Sequence, residues 1–557
     1  MPDLLLTLFP DEAFPIRPAI LLEAMPENIY HGGRWKNCPD LSKQSMESQT
    51  ARFFNEIVHY ARLVYKRTPG KDLPTNEERR WSAKYIDRIM PGGTTSRKPD
   101  LFLKVRNDKS LWKSVLVGGQ LKSEEHAFAA TERQLQDDAY NCFATQDDLM
   151  WHIEVGLVCE EFWLSVFDRS GCVHSARGNI HEDALSFLRI LAGLAFLERS
   201  RLGYDSSIKT LPDGRRTMEV DGVVYEIIGM LFLSDVMRGR GTVCWHCRAL
   251  DAGPEDEDVV IKSLWADQSR AHTEAEFLRA AEGVEGISTL VAEEIVTEGD
   301  PPRARSTATI RRALRNHGRE AELVGIEERH QYRLVLKPYA LHIENFSSKK
   351  ELLSVLKDAI KAHEQLVYDR RILHSDISDN NVMIRADPPG GLRKGLLIDL
   401  DYAAFIGEQR DTTSTAHRTG TLPFMAWEIL KYGDKIAHEP RHDLESFLYV
   451  LIVVCVCHSG PNRQYRQDFD LRKSRIGRWM ELDEYMSDIG SAKEAVMCLP
   501  KDGLPDEFQA FIDELFDPYF EDLKPCVHEL REVILGPAPS NPRAMHREVL
   551  GILQRYI

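Results

Sequence analysis

Residues 372–384 read ILHSDISDNNVMI. Ile372-Leu373 and Val382-Met383-Ile384 make apolar ends, and only Ile377 interrupts the polar stretch between them. Two strand-forming ends around a polar centre predict a loop held between buried pieces. His374 is followed two residues on by Asp376 and five residues later by Asn381. A carboxylate can take a proton from a reacting hydroxyl, and an amide oxygen can hold a hard cation. Whether this loop does chemistry depends on what stands before and after it.

Downstream comes KGLLIDLDYA, an apolar strand ending in Asp399, 23 residues after Asp376. RTGTLPFMAWEIL follows, with Thr421 and Ala426-Trp427-Glu428. RHDLESFLYVLIVVCVC then sets Asp443 at the head of an unbroken apolar run, Phe447–Cys457. Eleven residues are too few to span a bilayer, so this run predicts a buried core helix. An acid opening such a helix caps free N–H groups and suits its dipole.

Upstream, HTEAEFLRAAE carries Glu274, one helical turn before Phe277 and Leu278, with Glu276 as a second choice. VVIK closes an apolar strand at Lys262, 21 residues after Gly241. RGRGTVCW supplies Gly239 and Gly241, with Cys244 where a third glycine would fall. Glycine lets a backbone approach phosphate closely, although an ordinary hairpin turn reads the same way.

Phosphoryl transfer needs a phosphate cradle, a cation, a metal anchor and a proton acceptor. The sequence offers them in order: Gly239 and Gly241, Lys262 with Glu274, Asp376 with His374 as its brace, and Asn381 with Asp399 for Mg²⁺. These match the protein-kinase patterns V-A-I-K, H-R-D-L-x-x-x-N, D-F-G and A-P-E in sequence order. The fold class expected is α+β, a two-lobed protein kinase-like fold with a β-rich N-lobe (about 216–340) and a helical C-lobe (about 341–557). An α/β accessory domain, residues 1–215, precedes it.

HSDIS-x-NN, LLIDLDYA, RTGTLPFMAWE and HDLESFLYVL together resemble the fungal-specific protein kinase-like family, a divergent branch of the protein kinase superfamily. The resemblance runs over roughly residues 120–460. It implies ATP with Mg²⁺ and phosphorylation of a protein hydroxyl, most simply Ser or Thr. It also implies that Thr421 contacts the catalytic Asp and that Asp443 holds the loop backbone.

The departures are specific. Ser375 replaces the Arg that grips a phosphorylated activation loop in many kinases; an Arg binds phosphate through charge-assisted bonds that a Ser cannot make. Thr412, Thr413, Ser414 and Thr415 read either as a phosphosite or as a polar loop. Ser378 stands where many Ser/Thr kinases carry a Lys near the transferred phosphate. Asp401 replaces the D-F-G glycine, and either shifts the titration of Asp399 or adds a metal ligand. Besides an active kinase, two other readings stand: a pseudokinase that binds ATP as an interaction module, and a small-molecule phosphotransferase.

In the N-terminal half, helical patterning in SKQSMESQTARFFNEIVHYARLVYKR puts Phe53, Ile57, Tyr60 and Val64 on one face. Strands follow at DLFLKV and SVLVGGQLK, a helix at about 125–143, two strands in HIEVGLVCEEFWLSVFD, and a helix in DALSFLRILAGLAFLE. Pro99-Asp100 and Gln120-x-Lys122 resemble the PD-(D/E)xK nuclease pattern with one acid missing. A scaffold or partner-binding domain is therefore expected rather than cleavage, and no nucleic acid is expected as a partner.

Of the 557 residues, 43% are hydrophobic and 28% charged, ample for more than one core. A formal net charge of −16 argues against a surface that coats nucleic acid. Ten scattered cysteines make no disulfide framework, and Cys244-Trp245-His246-Cys247 has no second CxxC to complete a zinc site. No G-x-S-x-G surrounds Ser375 or Ser378, which removes a hydrolase triad. MPDLLLTLFP has an acid where a signal peptide is basic, so an intracellular protein, cytoplasmic or nuclear, with no membrane partner is expected.

Overall fold

The computed structural model describes residues 2–315, 324–386, 392–408, 420–480, 485–500, 506–537 and 539–557. The chain forms two compact units that interleave in sequence. The first takes Met1–Ala252, Ile261–Ser269 and Glu294–Arg333; the second takes Gly253–Val260, Arg270–Glu293 and Leu334–Ile557.

In the first unit, short helices at Pro2–Leu8 and Pro18–Glu23 and a strand pair, Tyr30–His31 with Arg34–Trp35, come before helix α1 (Glu47–Arg67). A sheet follows, in the order β1 (Arg79–Ser82), β2 (Leu101–Val105), β3 (Val117–Lys122), β4 (Trp151–Val158), β5 (Glu161–Asp168) and β6 (Gly171–His174). Only β3 and β4 run parallel, and helix α2 (Phe128–Phe143) makes the crossover between them. A parallel pair needs such a crossover. Strands β4 and β5 are buried at nearly every position. Strands covered on both faces lose the alternation of a half-exposed strand, which explains their near-continuous apolar sequence.

Helix α1 buries Phe53, Phe54, Ile57, Val58, Ala61 and Tyr65. Tyr60 and Val64 complete the expected stripe at its margin: they are half-buried and pack against the same core. The buried face follows the i, i+4 rows from Phe53 and Phe54 onward. Helix α3 (Ala184–Phe196) is buried at ten consecutive positions from Phe187 to Phe196. Phe187 meets Phe53 and Phe54 with ring centroids 6.2 and 5.6 Å apart. Such contacts dominate the packing of aromatic cores.

A second sheet has the order β7 (Lys209–Thr210), β8 (Arg216–Val220), β9 (Val223–Leu233), β10 (Val243–Ala249), β11 (Val259–Asp267), β13 (Arg329–Lys337) and β12 (Thr289–Ile295). Strands β9 and β10 form the hairpin that carries Gly239 and Gly241 in its connection.

In the second unit, helix α4 (Glu274–Ala280) is followed by α5 (Lys349–Asp369) and α6 (Pro440–Cys457). Every residue of α6 from His442 to Val456 is buried, as expected for a helix apolar all round. After α6 the unit carries the hairpin of His458–Gly460 with Gln464–Tyr465 and the helices Met486–Met497, Glu507–Leu515, Lys524–Leu535 and Pro542–Tyr556. Two small sheets lie earlier in it. One has the order β14 (Ala340–His342), β16 (Val382–Arg385), β17 (Gly395–Leu397), and the other pairs β15 (Ile372–Leu373) with β18 (Ala404–Phe405). Among the described residues, no helix is long and apolar enough to cross a membrane.

Candidate functional site

Residues 374–381 form the loop between β15 and β16. The pairing of β16 with β17 brings the next segment alongside, so Asp399 follows two residues after a strand hydrogen-bonded to this loop's exit. The apolar strand stops at Leu397, short of the expected Asp399. Asp399 itself adopts a left-handed conformation (φ 69°) and its carboxylate accepts from the Asp401 N–H.

Asp376 is fixed from three sides. Thr421 donates both its N–H (2.8 Å) and its hydroxyl (3.0 Å) to Oδ1. The Asn381 amide donates to the Asp376 carbonyl at 2.7 Å and approaches Oδ2 at 3.4 Å. His374 Nε2 donates to the Ile398 carbonyl (3.0 Å), which leaves Nδ1 to accept the Asp376 N–H (3.3 Å). Burial, and after it the charge of Asp399, push the Asp376 carboxyl above its ordinary range. Burial pulls the His374 imidazole the other way, toward the neutral form.

Asp443 holds the start of the loop. Its Oδ2 accepts the N–H groups of His374 (3.2 Å) and Ser375 (3.1 Å), and also His363 Nε2 (3.0 Å). Its Oδ1 accepts from His438 Nε2 at 2.9 Å. Burial alone would raise this carboxyl, but His438 and His363 outweigh it and hold Asp443 well below the carboxylate range. The expectation that Asp443 caps its own helix is corrected. Glu439 is the N-cap of α6 and closes a reciprocal box with His442, which frees Asp443 for the loop.

The departures from the kinase patterns each have a place. Arg270 donates to Asp401 Oδ1 at 3.0 Å, so the second acid of Asp399-Leu400-Asp401 is held in an ion pair. Ser378 is 1% exposed and its hydroxyl has no hydrogen-bond partner among the described residues. Thr412, Thr413, Ser414 and Thr415 lie outside the described residues. Glu428 accepts from both Arg441 and His442.

Glu274 is buried at the first position of α4. Glu276 returns to the Thr273 N–H in a capping box and is half exposed. Lys262 belongs to the first unit and is 4% exposed. It stands in mid-strand, since β11 runs on to Asp267, where the sequence suggested a strand end.

Gly239 and Gly241 both have positive φ, 122° and 49°. Their neighbour is one that the sequence reading missed. Arg169, in the turn between β5 and β6, accepts the Gly239 N–H on its carbonyl (2.9 Å) and donates Nη1 to the Val236 carbonyl (2.6 Å). A Cβ on Gly241 would stand 2.2 Å from Arg169 Nε. Arg169 is 1% exposed, lies over the Phe143 ring at 4.4 Å, and is drawn down to about 10 by burial. Its only sequence signal is an Arg in a tight Asp-Arg-Ser-Gly turn between two apolar strands.

In the N-terminal half, Asp100 Oδ2 accepts the Leu121 N–H (2.9 Å) and Lys122 Nζ (3.3 Å). Gln120 is buried, and its amide donates to Asp138 Oδ2 at 2.5 Å. Cys244 and Cys247 are strand residues of β10 outside any disulfide, and the cluster of metal-ligating types found among the described residues lies elsewhere.

The sequence model of a family described as fungal protein kinase matches residues 97–455. No curated protein matches the chain.

Proposed function

The chain belongs to the fungal protein kinase family, and from that premise we propose that it is a working enzyme. It moves the γ-phosphate of ATP onto a Ser or Thr hydroxyl of a protein, inside the cell where ATP is kept. In this reading residues 216–557 form the two-lobed kinase domain, with lobes at about 216–340 and 341–557, behind the accessory domain 1–215.

The observation that carries the proposal is the fixation of Asp376. Its Oδ1 is committed to two Thr421 donors, which turns the carboxylate into one orientation and leaves Oδ2 to take the proton of the incoming hydroxyl. A carboxyl raised by burial and by Asp399 is a better proton acceptor than an ordinary surface acid. Asn381 gives its amide N–H to the Asp376 carbonyl, and its amide oxygen remains a hard donor. With the Asp399 carboxylate this makes an oxygen set that suits Mg²⁺. Mg²⁺ bound there with ATP would neutralise phosphate charge. The nucleotide-binding role falls in this reading to Gly239, Gly241, Lys262 and Glu274, and His374 braces the loop. The Ser375 N–H is held by Asp443, so the loop's shape does not depend on a phosphate gripped by an Arg.

Radiolabelled ATP–Mg²⁺ with the purified chain tests this, read beside thermal shift. Asp376→Ala should lower transfer by about 10²–10⁴-fold while ATP–Mg²⁺ still raises the melting temperature. Asp399→Ala should abolish both. Equal transfer by wild type and Asp376→Ala would sink the proposal. The lack of a cation at Ser378 favours one other reading, an ATP-binding pseudokinase: nucleotide would then stabilise the wild type with no phosphate moved.

A further inference from the structure

We propose that Cys142, His152 and Glu154 form a buried binding site for one zinc-class divalent ion in the first unit. The cluster adjoins the Asp100, Gln120 and Lys122 motif, since the Gln120 amide reaches the neighbouring Asp138.

Two elements packed face to face supply the ligands. His152 and Glu154 stand two residues apart on β4 and so share one face of the sheet. Cys142 stands in the last turn of α2, one turn beyond Asp138. A thiol sulfur, an imidazole nitrogen and a carboxylate oxygen from these three lie within 4.8 Å of one another. All three residues are 0% exposed.

Two further observations set the cluster apart from polar residues that merely pack together. The first is unmet bonding capacity. His152 Nε2 and Glu154 Oε1 are 2.8 Å apart, but His152 Nδ1 and Glu154 Oε2 are buried with no partner among the described residues. Native interiors seldom leave such atoms unpaired. The second is a close approach built into the sheet. Gly118 on β3 is the register partner of Glu154, and a Cβ there would stand 2.3 Å from both carboxylate oxygens. Glycine weakens a strand interior and often marks a close approach; here the approach is by the Glu154 carboxylate.

The charges point to a cation. The neighbouring acid Asp138 already has its partners, Arg97 Nε at 3.2 Å and the Gln120 amide. Glu154 has no Lys or Arg ion pair among the described residues, and its contact with His152 is to an imidazole that burial draws down to about 3 and keeps neutral. Burial pushes both the Cys142 thiol and the Glu154 carboxyl up, so a divalent ion binding to them as thiolate and carboxylate beside a neutral imidazole releases their two protons. Sulfur, nitrogen and oxygen donors together suit zinc, whereas Mg²⁺ takes oxygen alone. Three protein ligands leave one position of a tetrahedron for water.

The test is metal analysis of the full chain after purification and desalting. One zinc per chain is expected. Exchange for Co²⁺ should give a thiolate-to-metal charge-transfer band, lost in Cys142→Ala and kept in Cys38→Ala, a half-buried thiol in the same unit. Melting curves check that each variant folds. Should Cys142→Ala not fold, the wild type decides: chelator should lower its melting temperature and Zn²⁺ should restore it. A wild type that carries no zinc and does not shift with Zn²⁺ or Co²⁺ overturns the proposal. So does a band that survives Cys142→Ala.

Discussion

Ser375 has a backbone φ of 67°, in the left-handed region where a side chain is strained. The strain is held by Asp443, which takes the N–H groups of His374 and Ser375 on one oxygen. Asp443→Ala would strand those two donors and the His363 and His438 rings in a buried site. Losing one partner of a buried charged network costs about 3–5 kcal/mol, so urea unfolding should show a matching loss; an unchanged unfolding free energy would refute this role. Arg169 acts at the same scale in the first unit. It holds the Val236 carbonyl and the Gly239 N–H, and only glycine at 241 leaves room for its side chain. Arg169→Ala should loosen the glycine connection and raise the KM for ATP by about 2- to 10-fold, the worth of a hydrogen bond or two, with kcat nearly unchanged. An unaltered KM would show that the tether has no bearing on nucleotide.

Among the elements, α5 shows how one local arrangement joins distant sequence. Ser348 caps it, and Glu351 in its first turn receives Arg393 Nη2 at 2.7 Å and the Ser347 N–H at 2.6 Å. Burial would raise the Glu351 carboxyl, but the bonds from Arg393 and Ser347 outweigh it and hold it at about 2. A carboxyl held below its unfolded value contributes stability that is complete above about pH 4.5 and is lost as pH falls toward about 2. Glu351→Gln should therefore melt below the wild type at neutral pH by about 1–3 kcal/mol in stability. The gap should close as the pH is taken down through that window. Melting curves at several pH values check it, and a gap independent of pH would mean that Glu351 contributes by packing alone.

For the molecule as a whole, the first unit reaches well past residue 215. Asp147 takes Arg216 and the Trp245 indole N–H, Asp168 pairs with Arg311, and Asp205 pairs with Arg305 and Arg333. Asp168, Asp205 and their three arginine partners are nearly all buried. Residues 216–557 expressed alone would leave the three arginines without their acids and expose the strands beside them. That fragment should be insoluble or show no cooperative melting, while the full chain melts cooperatively. A soluble fragment with full ATP-dependent stabilisation would show that the accessory segment is dispensable.

Local sequence determined a good deal of this. The periodicity of α1, the unbroken apolar runs of β4, β5 and α6, and the order of Lys262, Glu274, Asp376, Asn381 and Asp399 can all be read along the chain, because each depends on neighbours within a few turns or on fixed spacing. Tertiary structure decided what separation in sequence conceals. Asp443 serves the loop instead of capping its helix because Glu439 and His442 take the cap. Asp401 is an ion-pair partner because Arg270, 131 residues earlier, folds back onto it. Arg169 and the Cys142, His152 and Glu154 cluster had no readable motif at all. Their partners come from strands and helices brought together by packing, and the desolvation that makes a buried Arg or Glu consequential exists only once the core has closed.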